Sequence, residues 1–248
     1  MSDIVSSIRD NYQYTLEQIE SAARKSGRNP GDIKLVVVTK SQPVNVVQAA
    51  LEAGVRILGE NYPEEGVTKI QSLPFQSGVE WHMIGHVQSR KARLVVEHFE
   101  LLHSLDSLKL ANRLNRFSEE HKRILPVLLE FNVGGEDTKS GWDALEESQW
   151  NKLIPDIQSI LELPNLRIRG LMTMPPLGTS PEDSRRFFQR LRLLRDHLDS
   201  HFPDTDWREL SMGTSADYTV AVEEGATLVR VGTAIVGTRR YKSEKDTL

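Results

Sequence analysis

The sequence predicts a single (β/α)8 barrel with one extra helix at its N-terminus. Eight short apolar segments typical of buried strands alternate with amphipathic segments typical of helices. The length of 248 residues also suits such a barrel, which takes roughly 250 residues. An open, doubly wound parallel sheet is the alternative that the same alternation allows. No linker or low-complexity tract divides the chain, so residues 1–248 are treated as one domain, with a polar tail at 242–248 that is expected to fray.

The extra helix is predicted over residues 3–26. Apolar side chains recur there every three or four positions, which is the spacing of one helix face. Gly27 suits a C-cap, and the run Asn29-Pro30-Gly31 breaks the chain before the first strand.

The strand patterns differ in strength. The clearest covers 35–38, where four apolar residues in a row are typical of a strand buried on both faces. The patterns near 100 and 208 are weak, so the number of strands is open by one. Strands are predicted to begin near Lys34, Arg56, Glu80, Glu100, Ile124, Arg167, Arg208 and Thr227. Helices are predicted over 44–53, 62–72, 88–97, 107–121, 143–162, 182–201 and 216–224.

The composition excludes several classes of protein. A net charge of -4 argues against a general nucleic-acid binder, and the absence of cysteine excludes disulfides, thiolate metal sites and cysteine nucleophiles. No stretch approaches the length of a membrane span, and the N-terminus lacks the pattern of a signal peptide. We therefore expect a cytoplasmic protein, or a stromal one if a transit segment was removed. No heptad seam or extended apolar patch indicates a partner surface, so a monomer is expected.

Lys40 is the candidate reactive residue because it comes directly after the first strand. Active sites of such barrels gather at the carboxyl ends of the strands. Partial burial there disfavours the ammonium form, which would make the amine nucleophilic near neutral pH. Such an amine can form a Schiff base with an aldehyde. The alternative is a solvated lysine that merely ends a strand.

Two loops after the seventh and eighth strands have the composition of a phosphate site. They are Ser-Met-Gly-Thr-Ser-Ala-Asp at 211–217 and Arg-Val-Gly-Thr-Ala at 230–234. Glycines let backbone amides approach an anion, hydroxyl groups add donors, and barrels commonly hold phosphate at these two loops. Helix capping by Thr214 or Ser215 is the alternative.

The two ends of this predicted site suit a ligand that carries both an aldehyde and a phosphate. Pyridoxal 5′-phosphate is one candidate. A sugar phosphate handled by a Schiff-base aldolase is the other.

Seven motifs, in this order along the chain, resemble those of the pyridoxal phosphate homeostasis proteins, which are relatives of the N-terminal barrel of bacterial alanine racemase. The resemblance covers residues 5–240. The motifs are Val-Thr-Lys at 38–40, Leu-Gly-Glu-Asn-Tyr at 58–62, Trp-His-Met-Ile-Gly-His-Val-Gln at 81–88, Asn-Val-Gly-Gly-Glu at 132–136 with Lys-Ser-Gly at 139–141, Gly-Leu-Met-Thr-Met at 170–174, Ser-Met-Gly-Thr-Ser at 211–215 and Arg-Val-Gly-Thr at 230–233.

The resemblance implies that the barrel carries pyridoxal 5′-phosphate as an internal aldimine on Lys40. It also implies that Arg230 faces the pyridine nitrogen and that Asn61 lies beside the ring. The phosphate cradle that it implies consists of Ser211, Gly213, Thr214, Ser215, Gly232 and Thr233. Two departures from the family pattern lie outside this cradle: Arg90 stands where an asparagine is usual, and Pro63 follows the Glu-Asn-Tyr motif.

Arg230 argues against efficient carbanion chemistry. A carboxylate in its place would keep the pyridine nitrogen protonated and make the ring an electron sink, whereas a guanidinium discourages that protonation. The alternative for Arg230 is a salt-bridged residue at a strand end. The racemase also takes an acid–base group from a second domain, which we do not expect in a chain of this length.

We therefore expect a non-enzymatic protein that binds, buffers or delivers pyridoxal 5′-phosphate. Its role would be vitamin B6 homeostasis and, indirectly, amino-acid and keto-acid balance, with apo-enzymes as recipients of the cofactor. Two alternatives remain open. One is a weak amino-acid racemase or lyase, and the other is a regulatory module that presents the loaded barrel to a partner.

A few other residues have two interpretations. His82 either approaches the cofactor or is a core histidine, and no metal site with His86 is expected because no carboxylate ligand set accompanies the pair. Lys139 either meets an anionic substrate or is a solvated loop residue. Met172 and Met174 alternate on a strand, which predicts packing in the barrel interior.

Overall fold

The structure of the protein is a computed structural model that describes residues 2–75, 77–136, 139–176 and 178–238. The tail at 242–248 lies outside the described residues. Within them, the α-helices are α1 Ser2–Lys25, α2 Val44–Glu52, α3 Pro63–Ser72, α4 Ala92–His98, α5 Leu108–Glu120, α6 Ile154–Leu161, α7 Pro181–His201, α8 Tyr218–Glu223 and α9 Thr233–Val236. The strands are β1 Lys34–Val38, β2 Ile57–Glu60, β3 Glu80–Met83, β4 Leu101–Leu105, β5 Leu125–Asn132, β6 Trp142–Asp143, β7 Leu166–Met172, β8 Glu209–Ser211 and β9 Leu228–Val231.

Eight strands form a closed parallel barrel. Strand β1 pairs with both β2 and β9, the sheet continues in each direction, and β4 pairs with β5 to close the ring. Among the described strands, the two-residue β6 pairs only with the end of β5 and lies outside the ring. The closed ring confirms the predicted barrel and excludes the open, doubly wound sheet. Helix α1 confirms the predicted extra helix.

The strand predictions were accurate because the strands are buried on both faces. Each barrel strand begins within one residue of its predicted start, including the two with weak patterns. The helix predicted over 143–162 is wrong in its first half, which forms a 3-10 segment at Glu147–Leu153. Pro155 lies in the first turn of α6, where a proline costs the helix no hydrogen bond. The buried Trp150 anchors the preceding segment by donating from Nε1 to the carbonyl oxygen of Ala144 at 3.1 Å.

Three further segments add detail to the predictions. Helix α3 begins at Pro63, so this departure from the family pattern supplies a favoured first helical residue. A 3-10 turn at Ser89–Lys91 precedes α4, and the short helix α9 had not been predicted.

The barrel interior is built in layers because alternate residues of each strand point inward. A small apolar cluster of Val36, Leu128, Met172 and Leu228 fills part of it. A larger apolar core lies between the barrel and its helices. In the described part of the chain, every helix is too short or too polar to cross a bilayer.

Candidate cofactor site

A cavity of about 470 Å³ opens at the carboxyl ends of the barrel strands. This volume lies in the usual range of small-molecule sites. Seven of the nine predicted site residues line it, and Ser211 and Gly213 do not. The lining consists of Val38, Lys40, Gln42, Asn61, Ile84, Gly85, His86, Glu130, Met172, Met174, Thr214, Ser215, Ala216, Arg230, Gly232, Thr233, Val236 and Gly237.

Lys40 lies two residues beyond the end of β1 and is partly buried. Both of its chain neighbours are held by side chains of α3. The carbonyl oxygen of Thr39 accepts a hydrogen bond of 2.6 Å from Lys69 Nζ, and the amide of Ser41 donates to Glu65 Oε1 at 2.6 Å. Ser41 has a φ of 60°, a backbone conformation that residues other than glycine rarely adopt. The lysine is therefore carried by a turn that α3 holds in place.

A buried ion pair between Lys69 and Glu60 contacts Thr39 and supports this turn. Lys69 Nζ lies 2.7 Å from Glu60 Oε1, which also accepts a hydrogen bond of 2.6 Å from Thr39 Oγ1. Burial raises the pKa of the Glu60 carboxyl, while the neighbouring Lys69 acts in the opposite direction. The sequence singled out Glu60 only as part of a motif, and Lys69 was not predicted.

The residues of the predicted anion site lie on the two loops after β8 and β9, and β9 pairs directly with β1. The amide of Gly232 donates to Ser215 Oγ at 3.2 Å, which ties the loop after β9 to the loop after β8. Asp217 Oδ1 accepts from the Thr214 amide at 2.7 Å and from Thr214 Oγ1 at 3.0 Å. Thr214 thus bonds within its own loop, but neither Thr214 nor Ser215 caps α8, whose N-cap residue is Asp217. Thr233 is an exposed residue of the cavity lining.

Three backbone amides of cavity-lining residues in these loops remain available to a ligand. Those of Ser215, Ala216 and Thr233 donate to no acceptor within the described residues, and all three residues line the cavity. Unsatisfied amides that converge on one space suit a phosphate group. Ala216 had not been predicted as a member of this set.

Gly213 acts from outside the cavity. Its φ is +91°, and a Cβ atom at this position would lie 2.6 Å from Ala221 Cβ and 2.9 Å from Tyr218 Cα. Only glycine combines this conformation with so close an approach to α8. The residue therefore sets the path of the loop that carries Ser215.

Arg230 is buried in the wall of the cavity, with 4% of its surface exposed. Its Nη1 donates to Ser211 Oγ, and its Nη2 lies 2.9 Å from both the Thr173 carbonyl oxygen and Met174 Sδ. Burial lowers the pKa of the guanidinium to about 10, so the group stays cationic at neutral pH. Ser211 contributes to the site through this contact instead of lining the cavity.

Glu130 is the acidic group of the cavity, and the sequence did not single it out. Its Oε2 atom is buried and has no hydrogen-bond partner among the described residues. Burial and the nearby Asp106 raise the pKa of the carboxyl to about 7, while Arg230 opposes this. The alternation of β5 could have indicated it, because Glu130 and Leu128 share one face of that strand.

Asn61 follows β2 and presents a second unpaired atom. Its Oδ1 is buried without a partner among the described residues. Buried polar atoms are normally hydrogen-bonded, so two unpaired oxygens in one cavity are consistent with a bound ligand that completes them. Together with the three available amides and Lys40, they fit a small molecule that bears an anion and several polar groups.

The structure separates the two histidines of the third motif. His82 does not line the cavity and lies 3.0 Å from His103, as a core histidine would. His86 lines the cavity, and its Nδ1 lies 2.7 Å from Asp106 Oδ2. Within the described ranges, no group of metal-binding side chains occurs.

The remaining expectations concern the loop after β7. Met172 is buried, as predicted, but Met174 is 37% exposed and lines the cavity beside Arg230, so the packing prediction is wrong for Met174. Lys139 donates to the Met174 carbonyl oxygen at 2.9 Å and pairs with Glu136. It therefore ties two loops together, a role that neither interpretation of this lysine had foreseen.

Comparison with known families and proteins gives a consistent result. The model of the alanine racemase N-terminal domain matches residues 10–240. A pyridoxal phosphate homeostasis protein of Vibrio alginolyticus is 41% identical over 240 residues, which cover 96% of this chain and 100% of that protein. A protein of the same name from Aquifex aeolicus is 38% identical over 226 residues, which cover 91% and 96% of the two chains.

Solved structures include PipY of Synechococcus elongatus with pyridoxal phosphate bound. It is 35% identical, with a TM-score of 0.75 and coverage of 89% of this chain and 100% of PipY. An alanine racemase of Clostridium difficile matches with a TM-score of 0.68 at 18% identity, and the match covers 95% of this chain and 58% of the racemase. At that identity, the likeness to the racemase shows the fold alone.

Proposed function

Because the chain belongs to the family of pyridoxal phosphate homeostasis proteins, which share the alanine racemase N-terminal domain, we propose that it is a non-enzymatic carrier of pyridoxal 5′-phosphate. Pyridoxal 5′-phosphate is its cofactor, and vitamin B6 homeostasis is its role. One observation carries the proposal. Lys40 and the available amides of Ser215 and Thr233 line the same cavity of about 470 Å³.

Each end of the cofactor has a counterpart in this cavity. The cofactor supplies an aldehyde that can bond to an amine. We assign Lys40 Nζ to that bond, in which a carbon–nitrogen double bond forms and one water molecule leaves. We assign the phosphate to the amides of Ser215, Ala216 and Thr233, and the pyridine nitrogen to the guanidinium of Arg230.

The buried cation favours a carrier over an enzyme. Arg230 stays charged and has only hydrogen-bond donors, so it cannot accept a hydrogen bond from a protonated ring nitrogen as a carboxylate would. Ring chemistry that depends on a protonated nitrogen is therefore weakened. Binding and release do not depend on it.

Glu130 supports a second candidate function, a weak amino-acid racemase or lyase. Its carboxyl lines the cavity, and its pKa of about 7 suits proton transfer near neutral pH. Chiral assays of the purified protein with alanine and serine, against free cofactor, distinguish the two functions. Turnover well above that of free cofactor would reject the carrier.

The first experiment loads the purified protein with pyridoxal 5′-phosphate and dialyses it. We expect a yellow protein that gains the mass of one phosphopyridoxyl group after borohydride reduction. Lys40→Ala should lose both properties, whereas the control Lys34→Ala, at the exposed amino end of β1, should keep them. A colourless wild-type protein without the mass gain would reject the proposal.

Delivery is tested by mixing the loaded protein with an apo-enzyme and timing its reactivation. We propose that such apo-enzymes are the recipients and that the carrier acts in the cytoplasm as a single-domain monomer. Reactivation faster than with an equal amount of free cofactor would support delivery, and gel filtration would test the monomer. Reactivation slower than with free cofactor would indicate storage alone.

A further inference from the structure

A chain of hydrogen bonds crosses the barrel interior beneath the cavity. Arg230 Nη1 donates to Ser211 Oγ, which lies 2.7 Å from His103 Nδ1. His103 Nε2 lies 3.0 Å from His82 Nδ1, and His82 Nε2 lies 3.2 Å from Glu80 Oε2. The chain passes from β9 and β8 to β4 and β3, and ends at the amino end of the barrel.

The chemistry of its two ends determines the direction of every hydrogen bond. A guanidinium only donates, so Ser211 must pass its own hydrogen to His103 Nδ1, the one acceptor that it meets among the described residues. His103 then carries its hydrogen on Nε2 and donates to His82 Nδ1. His82 likewise carries its hydrogen on Nε2 and donates to the Glu80 carboxylate. Both histidines are thereby neutral and of the same tautomer.

Burial separates this chain from water along most of its length. Ser211 and His103 have no exposed surface, and the side chain of His82 is 2% exposed, whereas that of Glu80 is 52% exposed. Burial, and with it the positive charge of Arg230, holds the pKa of His103 well below its usual range, which agrees with a neutral ring. Hydrogen bonds in such a low-dielectric chain polarise one another.

Two further charged groups lie near Glu80, the end of the hydrogen-bond chain at the amino end of the barrel. Lys34 of β1 is close to Glu80 and also pairs with Glu209 at 3.5 Å. Glu100 lies near His82, but its Oε2 accepts a hydrogen bond of 2.7 Å from the Trp81 amide and takes no part in the chain. Glu100 therefore offers a carboxylate near His82 that lacks the hydrogen bond that Glu80 makes with His82.

We propose that Ser211, His103 and His82 are positioning residues that hold the Arg230 guanidinium and couple it to the charge of Glu80 at the opposite end of the barrel. The coupling to the cofactor rests on the proposed function, in which Arg230 faces the ring nitrogen. The hydrogen-bond chain itself does not depend on that assignment. Through this hydrogen-bond chain, a change of charge at Glu80 should alter proton binding at the cofactor, although the two lie at opposite ends of the barrel.

The first test reads the histidine tautomers directly. Long-range 1H–15N correlation spectra of cofactor-free, histidine-labelled protein at pH 7 should show both His82 and His103 neutral, with the hydrogen on Nε2. Ser211→Ala should alter the His103 nitrogen shifts, and Ser211→Thr, which keeps the hydroxyl, should restore them. A hydrogen on His103 Nδ1, or a doubly protonated His82, would overturn the proposed direction of the chain.

The second test measures the coupling. We expect Glu80→Gln to shift the pH midpoint of the absorption band of bound pyridoxal 5′-phosphate by at least about 0.3 units, a twofold change in proton binding, and to alter the His103 nitrogen shifts. The control Glu100→Gln should change both much less. Equal shifts from the two variants, or none from Glu80→Gln, would overturn the coupling. If wild-type protein forms no band, the proposed function fails, and the tautomers and the Glu80→Gln shifts of cofactor-free protein still decide the chain.

Discussion

Lys69 donates a hydrogen bond of 2.6 Å to the carbonyl oxygen of Thr39, the residue immediately before Lys40. Its ammonium group also contacts the carboxylates of Glu60 and Glu65 at 2.7 and 2.6 Å. The buried lysine therefore neutralises the Glu60 charge and holds the backbone that carries the reactive lysine. We therefore expect both the stability of the fold and the binding of the cofactor to depend on Lys69.

Replacing Lys69 with methionine should impair both properties. The variant leaves Glu60 buried without its cation, so we expect a loss of about 3–5 kcal/mol in the free energy of unfolding. Urea denaturation measures this loss, and dialysis of the loaded protein measures cofactor retention. Lys25→Met is the control, because Lys25 forms an exposed pair with Glu223 that contributes about 0–1 kcal/mol. Equal losses in the two variants would contradict the assigned role of Lys69.

Glu130 should make stability depend on pH. Its carboxyl has a pKa of about 7 in the folded protein against an ordinary 4.5. Between these values the folded state keeps a proton that the unfolded state has released, so stability falls as pH rises through this window and is level above it. The shift corresponds to at most about 3 kcal/mol.

The substitution Glu130→Gln should flatten this dependence. Urea denaturation near pH 5 and near pH 8 measures it, and the variant should lose less stability than wild type between the two. The exposed Glu119→Gln is the matched control and should follow wild type. A variant with the wild-type pH dependence would show that Glu130 is not the responsible group.

Gly213→Ala should disturb the phosphate loop. The new methyl group combines a left-handed backbone with a clash against α8, and overpacking of this kind costs about 1–3 kcal/mol. Thermal unfolding and a titration with pyridoxal 5′-phosphate should show losses of stability and affinity. Gly54→Ala, at φ +106° with no atom within 4 Å, isolates the backbone effect and should leave affinity unchanged. Comparable loss of affinity in both would contradict the loop assignment.

Ser215→Ala should loosen the contact between the two anion-binding loops. The Gly232 amide loses its acceptor, which typically costs about 1 kcal/mol. If that cost falls on the bound state, the dissociation constant for pyridoxal 5′-phosphate rises about fivefold, as fluorescence titration would detect. Ser215→Thr should recover affinity because it keeps the hydroxyl group, and the exposed Ser200→Ala should have no effect. Unchanged binding in Ser215→Ala would argue against the tie between the loops.

The barrel could be predicted because its determinants are local. A strand such as β1 is covered on both faces, so its apolar run shows in the sequence without knowledge of its neighbours. The helix predicted over 143–162 is wrong in its first half, because amphipathic spacing does not distinguish a 3-10 segment anchored by Trp150 from an α-helix.

Most of the predicted residues that follow strand ends line the cavity. The sequence did not reveal which side chains from different strands meet inside the barrel. Lys40 and Ser215 follow β1 and β8, and parallel strands bring their carboxyl ends to one rim. The alternation of β5 could have placed Glu130 on the same face as Leu128, but only closure of the barrel brings that carboxylate near Arg230. For the same reason Ser211 was assigned to the cradle, although its hydroxyl contacts Arg230 and His103 inside the barrel.

By itself, the sequence determined the order of strands and helices, the rim position of Lys40 and the two donor-rich loops, because chain-local burial and turn chemistry specify these features. Only the tertiary structure decided which buried polar groups meet: Lys69 with Glu60, and Ser211 with His103, 108 residues away along the chain. The reason is that closing eight strands into a ring sets inward-pointing side chains from distant segments face to face, at distances that no periodicity along the chain records.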